Sequence, residues 1–319
     1  MQRVTNRPAW AIGVAMTMCC TATLALGRQA TTPAERVAAA RAEAAMKATM
    51  PDTPGTGRFP AIKEEVAFPP DYVVYHPADL GELGSPKLGL YLFGNGGCLN
   101  DGAGSRIHLL EVASHGYLAI ARGRIRSGPG ATVRRTTTTG AKGLMTALDW
   151  ALAQNNDPAS PYHGHIDPTA VAASGYSCGG LQALQVAADR RIKALVIMNS
   201  GLINEGSKVV PSANLPKARL NDIHTPTLYI LGGEGDRAYE HGMDDFARIN
   251  HVPVVVGNLL GVGHGGTQWQ PNGGKAAAAV VAWLNWQLRG DMRSAKLFVG
   301  KDCGLCVDPA WRLEKKGVD

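Results

Sequence analysis

Short apolar runs, bounded by glycine, proline and polar clusters, recur along most of the chain. Between them lie longer segments whose apolar residues repeat every three or four positions. The short runs have the length of buried strands and the longer ones the period of helices packed on one face. Residues 66–68 and 72–76 read as early strands. Residues 88–93 read as a buried strand running into the tight loop Gly94-Asn95-Gly96-Gly97. A helix is expected over 107–114, a strand over 117–121, a basic glycine-containing loop over 122–135, and a helix over 137–154 through Leu144, Leu148, Trp150 and Ala151. Strands at 170–174, 194–198, 227–231 and 252–256 follow, with helices at 179–189 and 275–288. Strands alternating with helices imply an α/β fold, with a mostly parallel central sheet covered on both faces.

The first thirty residues belong to a different pattern. Arg3 and Arg7 precede an apolar stretch from Ala9 to Leu26, no acid occurs before Glu35, and the stretch ends in small residues, Ala25-Leu26-Gly27. This is the pattern of a secretory signal peptide, residues 1–27, cleaved after about Gly27. A membrane anchor is the alternative, but the stretch is barely long enough to span. A lipoprotein is less favoured, because Met18 and Cys19 stand before the cysteines where a small residue is wanted. The mature chain is therefore expected to be secreted or periplasmic, without stable membrane insertion. Residues 28–59 read as a leader, helical over 34–50 and a loop over 51–57, and 60–319 as one domain with a C-terminal disulfide-containing tail.

Composition narrows the class. With 45% apolar and 18% charged residues, the chain is neither disordered nor a coiled coil. The net charge of +6 falls to +4 once Arg3 and Arg7 leave, and the basic residues form no patch interleaved with aromatics, so nucleic acid is not the expected partner. Export also changes how the cysteines read. Beyond the leader four remain, Cys98, Cys178, Cys303 and Cys306, an even number suited to two disulfides in three possible pairings. Cys303-Gly304-Leu305-Cys306 lacks the second cysteine pair or histidine cluster that a zinc site needs, and a short-loop disulfide is the simpler reading. No metal or organic cofactor is expected.

The chemistry is carried by Gly175-Tyr176-Ser177-Cys178-Gly179, a G-x-S-x-G string placed between a predicted strand and a predicted helix. In that setting the serine stands on a strained turn, flanked by glycines that let neighbouring backbone pass close, with its hydroxyl at the sheet edge beside a helix N-terminus. A serine nucleophile needs a base, and the base an orienting acid. His264, in Gly261-Val262-Gly263-His264-Gly265-Gly266 after the strand at 252–256, is the one histidine in a suitable loop. The acid is expected after the strand at 227–231, in Gly232-Gly233-Glu234-Gly235-Asp236, where Asp236 is preferred and Glu234 is the rival. Amide donors for a developing oxyanion are assigned to Cys178, directly after the nucleophile, and to Cys98 on the Asn95-Gly96-Gly97-Cys98 loop, with Gly97 next in line.

In this order of serine, acid and histidine the chain resembles the α/β-hydrolases of the serine esterase type over roughly residues 60 to 290. Its layout is similar to the dienelactone-hydrolase, cutinase and polyester-hydrolase branch. It departs from that branch in the Asn-Gly-Gly-Cys loop and in the cysteine after Ser177. The resemblance implies an α/β-hydrolase fold without a large lid, and hydrolysis of a small-molecule or polymeric carboxylic ester through an acyl-enzyme. A peptidase or thioesterase on the same fold, and a secreted binding protein without chemistry, are the competing readings. If the amides of Cys98 and Cys178 face one oxygen, their Cα atoms fall within about 4–7 Å, the reach of a disulfide. A Cys98–Cys178 bond stapling the loop to the serine turn is expected, against the alternative of two free thiols packed beside the site.

Overall fold

The structure is a computed structural model that describes residues 51–66, 71–129, 131, 137–207 and 212–318, together with positions 34, 38, 42, 45 and 48–50. The expected signal peptide lies outside the described residues. In the leader, positions 34, 38, 42, 45, 48 and 49 are helical.

Nine strands form one sheet in the order β1-β2-β4-β3-β5-β6-β7-β8-β9. Its centre is parallel: β4 (Tyr117–Arg122), β3 (Leu88–Gly94), β5 (Ile166–Tyr176), β6 (Ala194–Met198), β7 (Thr227–Leu231) and β8 (Val254–Leu259). Antiparallel strands flank it, with β1 (Ala61–Val66) and β2 (Tyr72–Pro77) at one side and β9 (Trp311–Lys316) at the other. The inner strands are apolar on both faces because helices cover both, giving two cores. One gathers around helices Lys142–Asn156 and Cys178–Val186, the other around Arg106–Ser114 and Gly274–Arg289.

Several boundaries differ from those the sequence predicts, each for a physical reason. The first strand is 61–66, earlier than 66–68, because three consecutive charges, Lys63, Glu64 and Glu65, break its apolar signal at the edge of the sheet. β5 begins at Ile166 and passes through Pro168. The proline falls where the register against β3 shifts, so no ladder amide is lost in a regular stretch. The helix expected from 137 starts at Lys142, since Asn100 and Cys98 hold the amides of Thr137 and Thr139 in the loop. A helix at Tyr239–Arg248 and strand β9 complete the fold. The C-terminal stretch is therefore not a simple tail: after the Cys303–Cys306 disulfide it pairs along the whole of β8.

Candidate active site

Ser177 follows β5 directly and starts the helix Cys178–Val186. Its backbone is left-handed, φ 54° and ψ −122°, a conformation that costs a non-glycine residue of order 1–3 kcal/mol and persists only where the surroundings enforce it. They do so here through its amide, which donates to Met198 O on β6 at 2.9 Å. Close backbone crossing on the other side also holds the turn. A Cβ on Gly179 would stand 1.9 Å from Gly94 O, and one on Gly175 would stand 2.2 Å from the Gly179 backbone. Only glycine fits at either position.

The Ser177 hydroxyl lies 2.9 Å from His264 Nε2, and His264 Nδ1 lies 2.6 Å from Asp236 Oδ1. The carboxylate can only accept, so Nδ1 carries the proton and Nε2 is left to accept from serine. Asp236 is buried, and each of its oxygens has two donors. Oδ1 receives His264 and the Ala238 amide (2.9 Å); Oδ2 receives the Gly232 amide (3.1 Å) and Asn199 Nδ2 (2.6 Å). Burial alone would push the carboxyl up. The His264 hydrogen bond, the charge on that ring and the two amides outweigh it and hold the group below its ordinary value. Glu234 is exposed and borders a separate depression, away from His264. Of the two acids, then, the structure brings Asp236 and not Glu234 to the histidine.

The cysteines pair as Cys98–Cys178 and Cys303–Cys306, the first with Cα atoms 5.2 Å apart. Cys178 presents an amide with no acceptor among the described residues, at the N-terminus of its helix. The donor role expected of Cys98 needs correction. Its amide donates to Asn95 O at 3.0 Å within a tight turn, so it is already occupied. On that loop the amides without an acceptor among the described residues are those of Gly96 and Gly97, both of which border the cleft. The loop itself is held by the Asn95 side chain, which donates to Leu99 O (2.8 Å) and Arg122 O (2.7 Å).

Ser177 and His264 stand at the junction of two open lobes. One, of about 540 Å³, is lined by Gly96, Gly97, Ser127, Tyr176 and Trp269; the other, of about 480 Å³, by Leu181, Ile203, Arg237 and His241. Trp269 walls the first lobe, and the Arg106 guanidinium sits 6.0 Å from its ring. Two arginines of the basic loop are engaged within the fold. Arg124 pairs with Glu65, and Arg126 Nε donates to Asn100 O. Among the described residues no group of three or more His, Cys, Asp or Glu side chains is placed to hold a metal ion.

Three residues at the site escape sequence reading. Tyr176, which there is only the variable position of the G-x-S-x-G string, donates its hydroxyl to His264 O at 2.9 Å and fixes the histidine loop. Asn199 and Thr267 form a buried pair behind Asp236. The available signal was a polar residue directly after the apolar run 194–198. Comparison of the chain with known protein families and with curated proteins finds no match.

Proposed function

We propose that this chain is a serine hydrolase of the α/β-hydrolase fold that cleaves carboxylic esters, exported by a signal peptide over residues 1–27. The observation that carries the reading is the relay Asp236–His264–Ser177, at 2.6 and 2.9 Å, with its serine on a left-handed turn beside an unoccupied amide. In the reaction, Ser177 Oγ attacks the ester carbonyl while His264 Nε2 takes its proton. The oxyanion is met by the amide of Cys178 and by those of the Gly96-Gly97 loop, each such donor being worth about 3 kcal/mol. His264 then protonates the departing alcohol, and the acyl group stays on Ser177. Water enters, gives its proton to His264 and attacks the acyl carbon; Ser177 regains the proton as the acid leaves. Asp236 holds the imidazole tautomer and stabilises the imidazolium without taking the proton. The chemistry calls for no cofactor. Lobes on both sides of Ser177 suit an ester with a group of some size on each side of the scissile bond, whether a small molecule or a stretch of polymer.

The test is fluorophosphonate labelling of the purified protein, with a chain-length series of p-nitrophenyl esters beside an insoluble polyester and a feruloyl ester. Ser177→Ala should be unlabelled and retain under about 1% of ester hydrolysis, because members of such a relay act as a unit. Asp236→Asn should lose about 10²- to 10⁴-fold in kcat, whereas Glu234→Gln should stay within about twofold of wild type, as expected of an exposed side chain that touches nothing in the site. Retention of more than a few per cent of activity in Ser177→Ala would falsify the assignment.

A further inference from the structure

We infer that Asn199, held by Thr267, is the positioning residue for Asp236, an inference that rests on the relay proposed above. Asn199 directly follows β6, and its amide donates to Ile230 O on β7 at 2.7 Å, so its backbone is fixed between two central strands. Its side chain is fully buried and faces three segments at once. Nδ2 donates to Asp236 Oδ2 at 2.6 Å and approaches Gly263 O at 3.5 Å, while Oδ1 accepts from the Thr267 hydroxyl. Gly263 and Thr267 lie on either side of His264, so a single amide ties the acid's loop to the base's loop.

The direction of every bond in this group is forced. A carboxylate only accepts, so the nitrogen of the Asn199 amide must face Asp236. Its oxygen then faces Thr267, which must donate. On the other oxygen of Asp236, His264 donates in turn. The carboxylate is thus gripped from both ends, and its Oδ1 cannot turn from His264 without Oδ2 abandoning a buried donor, a loss that buried groups resist strongly. The residue type is constrained as well. Asn199 has φ 47°, a left-handed conformation that asparagine, aspartate and glycine adopt more readily than other residues. Of these three, glycine has no donor and an ionised aspartate has none either. Asparagine alone meets both demands.

Three variants test this on the full chain with a soluble p-nitrophenyl ester, with melting temperature followed alongside. Asn199→Gly keeps the backbone and deletes the amide. Thr267→Val removes the hydroxyl at constant shape, and Thr267→Ser restores it. A misplaced carboxylate leaves the imidazole poorly aligned in the transition state but does not touch bound ester. Asn199→Gly is therefore expected to lower kcat about 10- to 100-fold with KM within about twofold. Thr267→Val should lower kcat in the same way, and Thr267→Ser should recover most of it. An active wild type whose Asn199→Gly variant keeps its kcat, or loses through KM alone, overturns the inference and leaves the ester reading standing. If Asn199→Gly does not fold, the threonine pair decides: equal kcat in Thr267→Val and Thr267→Ser overturns the inference. A wild type inert to every ester and to the fluorophosphonate overturns the ester reading, and this inference with it.

Discussion

Removing the Cys98–Cys178 bond is expected to cost the fold several kilocalories per mole and to slow turnover without weakening substrate binding. The two cysteines lie 80 positions apart. In the chain-entropy account, closing a loop of that length removes about 4.5 kcal/mol of conformational freedom from the unfolded chain at 25 °C, and measured effects more often fall at about 2–4 kcal/mol. The Cys98→Ala/Cys178→Ala double variant should therefore lose about 2–4 kcal/mol in urea denaturation. At about 2–4 °C per kcal/mol for a domain of this size, it should melt roughly 5–15 °C lower. Cys98 has φ 53°, but alanine meets the same steric penalty as cysteine there, so the backbone contribution cancels. The second disulfide provides the control. Its cysteines are 3 positions apart, and the same relation gives less than about 2 kcal/mol for Cys303→Ala/Cys306→Ala. In kinetics, the Cys98–Cys178 bond joins the loop that carries the Gly96 and Gly97 amides to the turn that carries the Cys178 amide. Deleting one oxyanion donor outright costs about 10²- to 10³-fold in kcat. Loosening two of them should cost about tenfold, with KM little changed. Equal destabilisation by the two double variants would refute the loop-length reasoning. A rise in KM at constant kcat would refute the role given to the bond at the oxyanion.

Two further outcomes follow from one buried charge and one half-buried charge. Asp236 ionises below its ordinary value of 3.8 in the folded chain, so its contribution to stability is complete above that value and is lost as pH falls through the folded one. The stability of Asp236→Asn, measured by urea denaturation between pH 3 and 6, should fall less steeply toward acid than that of wild type; parallel curves would contradict the depressed value. Lys316 on β9 donates to Phe246 O (2.6 Å), Ala247 O (3.0 Å), Ile249 O (3.1 Å) and Asn250 Oδ1 (2.9 Å), capping the helix Tyr239–Arg248. Lys316→Met keeps the stem and loses the ammonium. It should cost about 1–2 kcal/mol in chemical denaturation with no effect on KM, and an unchanged midpoint would show that water replaces the cap.

How much of this was legible in the sequence depended on burial. Strands sealed on both faces, such as β6 and β7, are apolar runs apart from Thr227 at the start of β7, and their ends coincide with the predicted ones. The outer strands are wet on one side, and in Ala61–Val66 and Trp311–Lys316 charge breaks the apolar signal. The sequence pattern puts the first too late, at 66–68, and gives no strand signal for the second. Ser177, Asp236 and His264 were readable because each sits where a strand meets a glycine-containing loop, a position set by chain order. Asn199 and Thr267 were not, since their roles arise from three loops converging in space. Nor was the turn that occupies the Cys98 amide, because whether a backbone N–H is free depends on a left-handed Gly97 that leaves no trace in composition.

The charges that obscure the outer strands also bear on how copies of this protein meet one another. A sheet ends in a row of amides and carbonyls that can template a further strand, and a chain with an apolar outer strand invites edge-to-edge growth. Here the terminal strands are six residues each, one bearing Lys63, Glu64 and Glu65 and the other Arg312, Glu314, Lys315 and Lys316. An incoming strand would have to set its own side chains among both signs of charge within a single short stretch. Both terminal strands of the sheet thus carry charge of both signs, the feature that discourages edge-to-edge growth.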